Sequence, residues 1–276
     1  MEKSEAYFTQ FCVFIKAAYH NPKEHRHFAP RLLLGLEGPL ELSVAGRKLE
    51  AEGVVIGSNV LHTVLSGSPA LVVFAHELTD VSVGMKEKFL SGRRFCALTA
   101  ADAEKLRCCW NRGKEEEKPG GGQEQAAAAQ GGQEKIWRAE CAVRETEELL
   151  RLTQEPAHIV DDRVKGAAEY IDSVTELDTL TVEEISLAVH LSVSRLSHLF
   201  KLETGGSLKL YLANMKLRRA LWYLLQGKSV VVACMDAGFA SPSHFADTSR
   251  KLYGMSAKGL AKNLAPVWIQ NTKNKF

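Results

Sequence analysis

The chain lacks most of the features that a cofactor enzyme, a metalloprotein or a membrane protein would need. Its six cysteines include no CxxC pair, which removes the usual spacing of a zinc site and leaves free thiols as the expected state. No P-loop, GxGxxG or Ser/His/Asp arrangement is present, so the sequence predicts neither an enzyme nor a cofactor. No apolar run approaches about 20 residues, and the polar start MEKSEAYFTQ is unlike a secretory signal. We therefore expect a cytoplasmic protein without a membrane partner.

Acidic residues are scarce in the last third of the chain. From His190 onward there are thirteen Lys and Arg residues against three Asp and Glu, which gives this part a net charge of +10. The whole chain carries +2, so the first 189 residues carry −8. This asymmetry is typical of a basic nucleic-acid-binding domain attached to an acidic domain.

The stretch 180–205, LTVEEISLAVHLSVSRLSHLFKLETG, carries the local signals of a helix-turn-helix. Thr181 and Glu184 predict a capping box at the start of a first helix. Its apolar face is predicted to contain Ile185, Ala188 and Val189. A turn at 191–193 leads to a second helix, which is predicted to bury Leu196, Leu199 and Phe200 and to expose Ser194, Arg195, Ser197, His198 and Lys201. Such hydroxyls and cations suit base edges and phosphates, although this stretch alone leaves an ordinary amphipathic helix pair as the alternative.

The same pattern recurs 49 residues later, where Ser194 corresponds to Ser243 and Gly205 to Gly254. The chain thus contains two copies of one unit, joined by a predicted helix over 207–227. Two reading helices on one rigid body can enter successive major grooves if they stand about 34 Å apart. The core of the second copy's first helix is predicted to contain Val231, Val232 and Cys234.

Residues 162 to about 260 resemble the DNA-binding domain of the AraC/XylS family of bacterial transcription regulators. The resemblance rests on LSVSRLSHLFKLETG (191–205), YLANMKLRRALWYLL (211–225) and AGFASPSHFADTSRKLYGMS (237–256). It implies base contacts from Ser194, Arg195, Ser197 and His198 in the first copy, and from Pro242, Ser243 and Asp247 in the second. Phosphate contacts are assigned to Lys201, Arg218, Arg219, Arg250 and Lys251.

The second copy departs from the family pattern at three positions. Asp247 stands where a basic or polar residue is common, Ser249 where an aromatic residue usually packs, and Ala257 where a proline usually follows. A carboxylate can accept a hydrogen bond from cytosine N4, but it repels phosphates. We therefore expect the first copy to contribute more of the binding to DNA.

The first 80 residues read as short strands joined by turns, which predicts a small sandwich or barrel. His25-Arg26-His27 and the later GVVIGSNVLH (53–62) resemble the two signatures of the cupin barrel, the effector domain common in this family. The resemblance places His25, His27 and His62 at the barrel mouth as a candidate effector pocket. Because no carboxylate follows the paired histidines at 28–31, the ligand set is incomplete and no metal is predicted.

The middle of the chain reads as helical with a low-complexity insertion. Helices are predicted over 83–90 and 99–110, followed by a disordered loop over 111–135 and an amphipathic helix over 136–152. That last helix packs either on its own barrel or, as in the family, on a second subunit; the pattern leaves both open. The predicted division is a barrel (1–80), a helical segment (81–156), a double helix-turn-helix domain (162–262) and a tail (263–276).

Together these patterns predict an α+β protein with an N-terminal cupin-like β-barrel or sandwich and an all-α C-terminal domain of two helix-turn-helix units. The resemblance implies a sequence-specific transcription activator that binds double-stranded operator DNA and RNA polymerase, dimerises, and responds to a small molecule in its barrel. One alternative is a ligand-independent regulator whose barrel only dimerises. Another is a metal-dependent cupin enzyme fused to a helical domain.

Overall fold

The amino-terminal part of the chain folds into two β-sheets. The computed structural model describes residues 4–9, 12–18, 24–65, 68–111, 124–151, 160–253 and 264–268. One sheet has seven strands in the order β10-β1-β2-β8-β3-β6-β9, and the other has three in the order β5-β4-β7. The strands are β1 (Ser4–Phe8), β2 (Cys12–Ala18), β3 (Arg31–Gly35), β4 (Leu40–Val44), β5 (Arg47–Ala51), β6 (Gly53–Ile56), β7 (His62–Val64), β8 (Pro69–Ala75), β9 (Phe95–Ala97) and β10 (Leu264–Trp268).

The pattern of apolar residues explains how the two sheets pack. In β4, Leu40, Leu42 and Val44 are fully buried, whereas the intervening Glu41 is exposed, as expected for a strand with one face in the core. β3 is buried along its whole length because helices cover the outer face of its sheet. The predicted break at 38–39 and the turn at 45–46 both separate strands here, so these sequence predictions are confirmed.

Three helices cover the large sheet. They are α1 (Asp80–Gly84), which continues as a π-helical turn over Met85–Leu90, α2 (Ala100–Asn111) and α3 (Glu124–Leu150). The ring of Trp110 in α2 packs against Tyr7 and Phe14, with centroids 5.4 Å and 5.8 Å away. Its indole Nε1 donates to Thr146 Oγ1 at 2.9 Å, which fastens α2 to α3. Among the described residues, no helix combines the length and apolarity needed to cross a bilayer.

Helix α3 begins twelve residues before the predicted start at 136. The structure therefore corrects the predicted disordered loop over 124–135, while 112–123 lie outside the described residues. The physical reason is the run Ala126–Ala129, since alanine has the highest helix propensity, whereas the prediction gave more weight to the surrounding Gly and Gln.

The described residues 162–253 form helices joined by turns, which confirms the predicted α+β class. Its helices are α4 (Asp162–Ser173), α5 (Val182–Ala188), α6 (Val193–Thr204), α7 (Leu208–Leu225), α8 (Val230–Asp236) and α9 (Pro242–Tyr253). α5 with α6 and α8 with α9 form the two helix-turn-helix units, and α7 joins them. The capping box of Thr181 and Glu184 is present at the start of α5, with both reciprocal hydrogen bonds made.

Burial in the first helix of each unit differs in part from the prediction. Ile185 and Cys234 are fully buried as expected, whereas Ala188 is exposed. Val231 and Val232 are 58% and 46% exposed, so their assignment to the core is wrong. The seven-residue α8 already fills its inner face with Ala233 and Cys234, which turns the two valines toward solvent.

The predicted tail contains a strand that the sequence pattern did not reveal. β10 pairs in parallel with β1, from Ser4 opposite Leu264 to Phe8 opposite Trp268. This pairing gives hydrogen-bond partners to an edge that β1 would otherwise present to solvent. The prediction treated 263–276 as a tail because a five-residue segment carries no signal for a partner about 260 positions away. The rest of the predicted tail lies outside the described residues.

Candidate functional site

The second helix of the first helix-turn-helix unit, α6, is fixed at both ends. Ser192 is its N-cap, and its hydroxyl accepts a hydrogen bond from the backbone N–H of Arg195 at 3.2 Å. At the other end Gly205 has φ +77°, the left-handed conformation that terminates a helix at glycine. Between these caps, Leu196 and Phe200 are fully buried and anchor the helix to the domain core.

The outer face of α6 carries the residues that the sequence assigns to DNA. Ser194, Arg195, His198 and Lys201 are exposed, and Ser197 is partly exposed. They lie opposite the buried face, so one surface presents hydroxyls, an imidazole and two cations. Such a surface matches the donors and charges that base edges and phosphates accept.

The second helix of the second unit, α9, carries a carboxylate on its outer surface. Pro242, Ser243 and Asp247 are exposed, as is Lys251. The carboxylate of Asp247 accepts a hydrogen bond from Arg250 at 2.5 Å, so a predicted base contact and a predicted phosphate contact are paired with each other. Ser249 is fully buried at the position where the family usually packs an aromatic residue.

Two arginines that the sequence assigns to phosphate contacts, Arg218 and Arg219, do not lie on the outer face of α6 or of α9. Arg219 is only 7% exposed, and its guanidinium donates to the backbone carbonyls of Val174 and Thr175, so it fastens α7 to the segment between α4 and α5. Burial lowers the pKa of Arg219. Arg218 lines a cleft between α7 and the β-domain. The sequence did not predict this, because it does not show that α7 is covered by other parts of the protein on more than one side.

The cleft lies between the β-domain and the helical domain. Its apolar walls include Val13, Phe28, Phe74 and Leu252, and its polar groups include His76, Asn214 and Arg218. Strands of the large sheet contribute one side, and α7 with the end of α9 contributes the other. A molecule in this cleft would therefore contact both domains.

The three predicted cupin histidines do come together. Ligand nitrogen atoms of His25, His27 and His62 lie within 4.8 Å of one another, and His27 also borders the interdomain cleft. Arg31, which is fully buried, donates from Nε to His62 Nε2 at 3.0 Å. Burial, followed by the charge of Arg31, lowers the pKa of His27 and lowers that of His62 to about 2.

These residues do not suit a divalent metal ion. The guanidinium N–H of Arg31 occupies the lone pair on His62 Nε2 that a metal would need, and its positive charge repels a second cation. On the other ring nitrogen, Nδ1 lies 3.1 Å from the carbonyl oxygen of Val60. The cluster therefore combines two buried imidazoles with lowered pKa values, those of His27 and His62, with the half-buried His25 and one guanidinium.

A direct contact joins the β-domain to the end of α6. Phe28 packs on Tyr211 with ring centroids 5.7 Å apart, and a Cβ atom placed on Gly206 would overlap the Phe28 ring. Asn59 Nδ2 donates to the carbonyl oxygen of Gly205 at 2.9 Å. Sequence reasoning missed Phe28 and Asn59 because both lie in loops, where hydrophobic periodicity gives no signal.

Comparisons with known proteins support the fold and the DNA-binding unit. A family model described as a helix-turn-helix domain matches residues 185–263. No curated protein matches the chain. The solved structures include ToxT from Vibrio cholerae strain SCE256 with an unsaturated fatty acid bound, which is 10% identical over 93% of this chain and 97% of that chain, with a TM-score of 0.52.

Two further solved structures show the extent of the likeness. ToxT from Vibrio cholerae O395 bound to (E)-4-(8-methylnaphthalen-1-yl)but-3-enoic acid is 8% identical over 95% of this chain and 99% of that chain, with a TM-score of 0.52. An AraC-type transcriptional regulator from Chromobacterium violaceum is 25% identical over 37% of this chain and 90% of that chain, with a TM-score of 0.35. The likeness to ToxT concerns the fold. Residues 185–263 of this chain therefore match a helix-turn-helix family model, and they follow an amino-terminal β-domain as in the fold of ToxT.

Proposed function

We propose that this protein is a transcription regulator that binds a specific double-stranded DNA sequence. The observation that carries the proposal is the outer face of α6, where Ser194, Arg195, Ser197 and His198 lie together above a buried apolar face. Arg195 would donate hydrogen bonds to the O6 and N7 atoms of guanine. The shorter side chains of Ser194, Ser197 and His198 would contact base edges in the same major groove. Lys201 lies one turn further along and supplies charge for a phosphate.

The second unit contributes through α9 on the same rigid domain. Pro242 and Ser243 begin that helix, and the exposed Lys251 would contact a phosphate. Asp247, which is paired with Arg250, puts an exposed carboxylate on the outer face of α9, and that carboxylate would repel phosphates. We therefore assign the larger share of the affinity to α6.

The effector is proposed to be a small organic acid that binds in the interdomain cleft. Both ToxT structures described above hold a carboxylic acid with an apolar body. The cleft of this chain offers matching chemistry, since Phe28, Phe74 and Leu252 provide apolar contacts and Arg218 provides a cation. This assignment replaces the barrel mouth around His25, His27 and His62, where Arg31 donates to His62 Nε2 and the rings of His25 and His62 lie 4.4 Å apart.

The cleft and the reading helix share one residue, which provides a route for regulation. Phe28 lines the cleft and also packs against Gly206, directly after the C-cap of α6. A ligand that displaces the Phe28 ring would change the contact that holds the end of α6 against the β-domain. Binding of effector and binding of DNA would then be coupled, and each would alter the affinity for the other by the same factor.

Activation of transcription, contact with RNA polymerase and dimerisation complete the proposal. The dimer interface is assigned to α3, where Trp137 is 63% exposed on the helix surface. An exposed aromatic residue of this size is typical of an interface. Sedimentation of the wild type and Trp137→Lys tests it: we expect a dimer that the substitution converts to a monomer, and equal masses for both would contradict the assignment.

DNA binding is tested by gel shift of the full chain on its own upstream DNA with excess nonspecific competitor. Arg195→Ala and His198→Ala are each expected to cost about 1 to 3 kcal/mol on the specific site, because each removes a base contact. Lys105→Ala is the matched control, since it removes an exposed cation from α2, which lies in neither helix-turn-helix unit. Unchanged binding in both α6 variants would remove that helix from its reading role.

A further inference from the structure

The two reading helices begin with the same cap. Ser192 Oγ accepts from the backbone N–H of Arg195 at 3.2 Å, and Ser241 Oγ accepts from the backbone N–H of His244 at 3.1 Å. The 49-residue offset of the sequence repeat also aligns Arg195 with His244. His244 thus stands in α9 where Arg195 stands in α6, and both side chains are exposed.

The imidazole of His244 is held in place by the core beneath it. Its ring meets the ring of Phe239 edge-on, with centroids 5.5 Å apart and planes at 77°. Phe239 is only 3% exposed and packs in turn on Phe245, which is also buried. A ring supported on one edge loses less rotamer entropy when it makes a contact than a freely rotating side chain does.

The neighbouring polar groups of α9 are engaged with each other. Asp247 occupies the position that corresponds to His198, and its carboxylate is paired with Arg250. Ser243 has a short side chain with a single hydroxyl. On the first two turns of α9, His244 therefore has the longest reach toward a base edge and an N–H to donate.

We propose that His244 is a specificity-determining residue that reads a guanine in the part of the site contacted by the second unit. The imidazole N–H would donate to guanine O6 or N7, the two acceptors that this base presents in the major groove. This inference rests on the proposed function, because it requires that α9 enters DNA. It also gives the second unit a base contact that does not depend on Asp247.

The test selects binding sites from a pool of random duplex DNA with the full-length wild type, and then measures affinities for every single-base variant of the selected site. His244→Ala is expected to lose about 10- to 100-fold in affinity for the selected site and to lose its preference at one base pair, where the wild type requires guanine. His244→Gln is expected to shift that preference toward adenine, which pairs with a glutamine amide. Met235→Ala is the matched control, because this exposed residue lies on α8, outside both reading helices.

The outcomes separate the inference from the proposed function. If the wild type selects a sequence but the base preferences of His244→Ala equal those of the wild type, the inference is overturned while the proposed function stands. A uniform loss of affinity on all sequences, including nonspecific DNA, would likewise overturn it, because that loss belongs to a structural role. If the wild type selects no sequence at all, both fail.

Discussion

Substitution of Gly206 should test whether the β-domain holds the end of α6. The backbone of Gly206 does not adopt a left-handed φ, so alanine brings no backbone strain, but its Cβ would overlap the ring of Phe28. Phe28 is 2% exposed and packed among the residues around α6 and α7, so it cannot move aside freely. Overpacking of this kind costs about 1 to 3 kcal/mol, and we expect Gly206→Ala to lower the free energy of unfolding by that amount.

A double-mutant cycle shows whether the loss of stability in Gly206→Ala comes from its contact with the ring of Phe28. Phe28→Ala alone should cost about 3 to 5 kcal/mol, because it leaves a cavity in a buried cluster. In the Gly206→Ala background it should cost about 1 to 3 kcal/mol less, since the overlap disappears together with the ring. Unfolding in urea, measured for the four proteins by tryptophan fluorescence, gives these differences.

Gly205→Ala is the matched control for the cycle. Gly205 has φ +77° and no side chain of Phe28 against it, so its substitution costs about 1 kcal/mol through backbone strain alone. Phe28→Ala should leave that cost unchanged. A coupling energy within about 0.5 kcal/mol of zero between Gly206→Ala and Phe28→Ala would refute the contact and the route of regulation built on it.

Three further predictions concern the core and the caps. Arg219→Leu should lower the free energy of unfolding by about 1.5 to 3 kcal/mol, because the backbone carbonyls of Val174 and Thr175 lose hydrogen bonds from a charged donor. Chemical unfolding should show the same loss with and without DNA. The free energy of unfolding should fall as the pH drops below about 6.5, because the pKa values of His27 and His62 are lowered in the folded protein. Below that pH the unfolded chain binds protons at these two histidines and the folded protein does not, so each histidine lowers the stability by about 1.4 kcal/mol per pH unit. His62→Gln should reduce the loss between pH 7.5 and 5.5 relative to the wild type, and an identical loss would contradict the assignment. Thr181→Ala should cost about 1 kcal/mol in thermal unfolding through loss of the capping box, whereas a fully retained melting temperature would show that the cap is dispensable.

The features that sequence predicted well are local ones. The capping box at Thr181, the burial of Leu196 and Phe200, and the repeat of the whole unit each depend on residues within one or two turns of a helix. Strand breaks at glycine and proline likewise follow from the backbone conformations of those residues alone. Such signals are present in the chain before any tertiary contact is made.

The features that sequence missed depend on which distant surface covers a residue. Arg218 and Arg219 are neighbours on one helix, yet one lines the cleft and the other is buried against the segment after α4. Phe28 has no periodic pattern around it, and its role appears only when Gly206, nearly 180 positions later, is packed beneath it. The exposure of Val231 and Val232 has the same origin, since a short helix fills its contact face with its smallest residues.

Because β10 pairs with β1, the chain enters the helical domain from the β-domain and returns to the same β-sheet after it. The helical domain is therefore connected to the β-domain at both ends. The chain leaves α9 at Tyr253 and returns to the sheet at Leu264, so ten residues span the gap. At about 3.3 to 3.6 Å per residue, this segment keeps the end of α9 within roughly 40 Å of the sheet edge while the strands stay paired. The helical domain is therefore attached to the sheet at both of its ends, which, within the proposed function, would limit how far α6 and α9 can move from the sheet edge to reach a site on DNA.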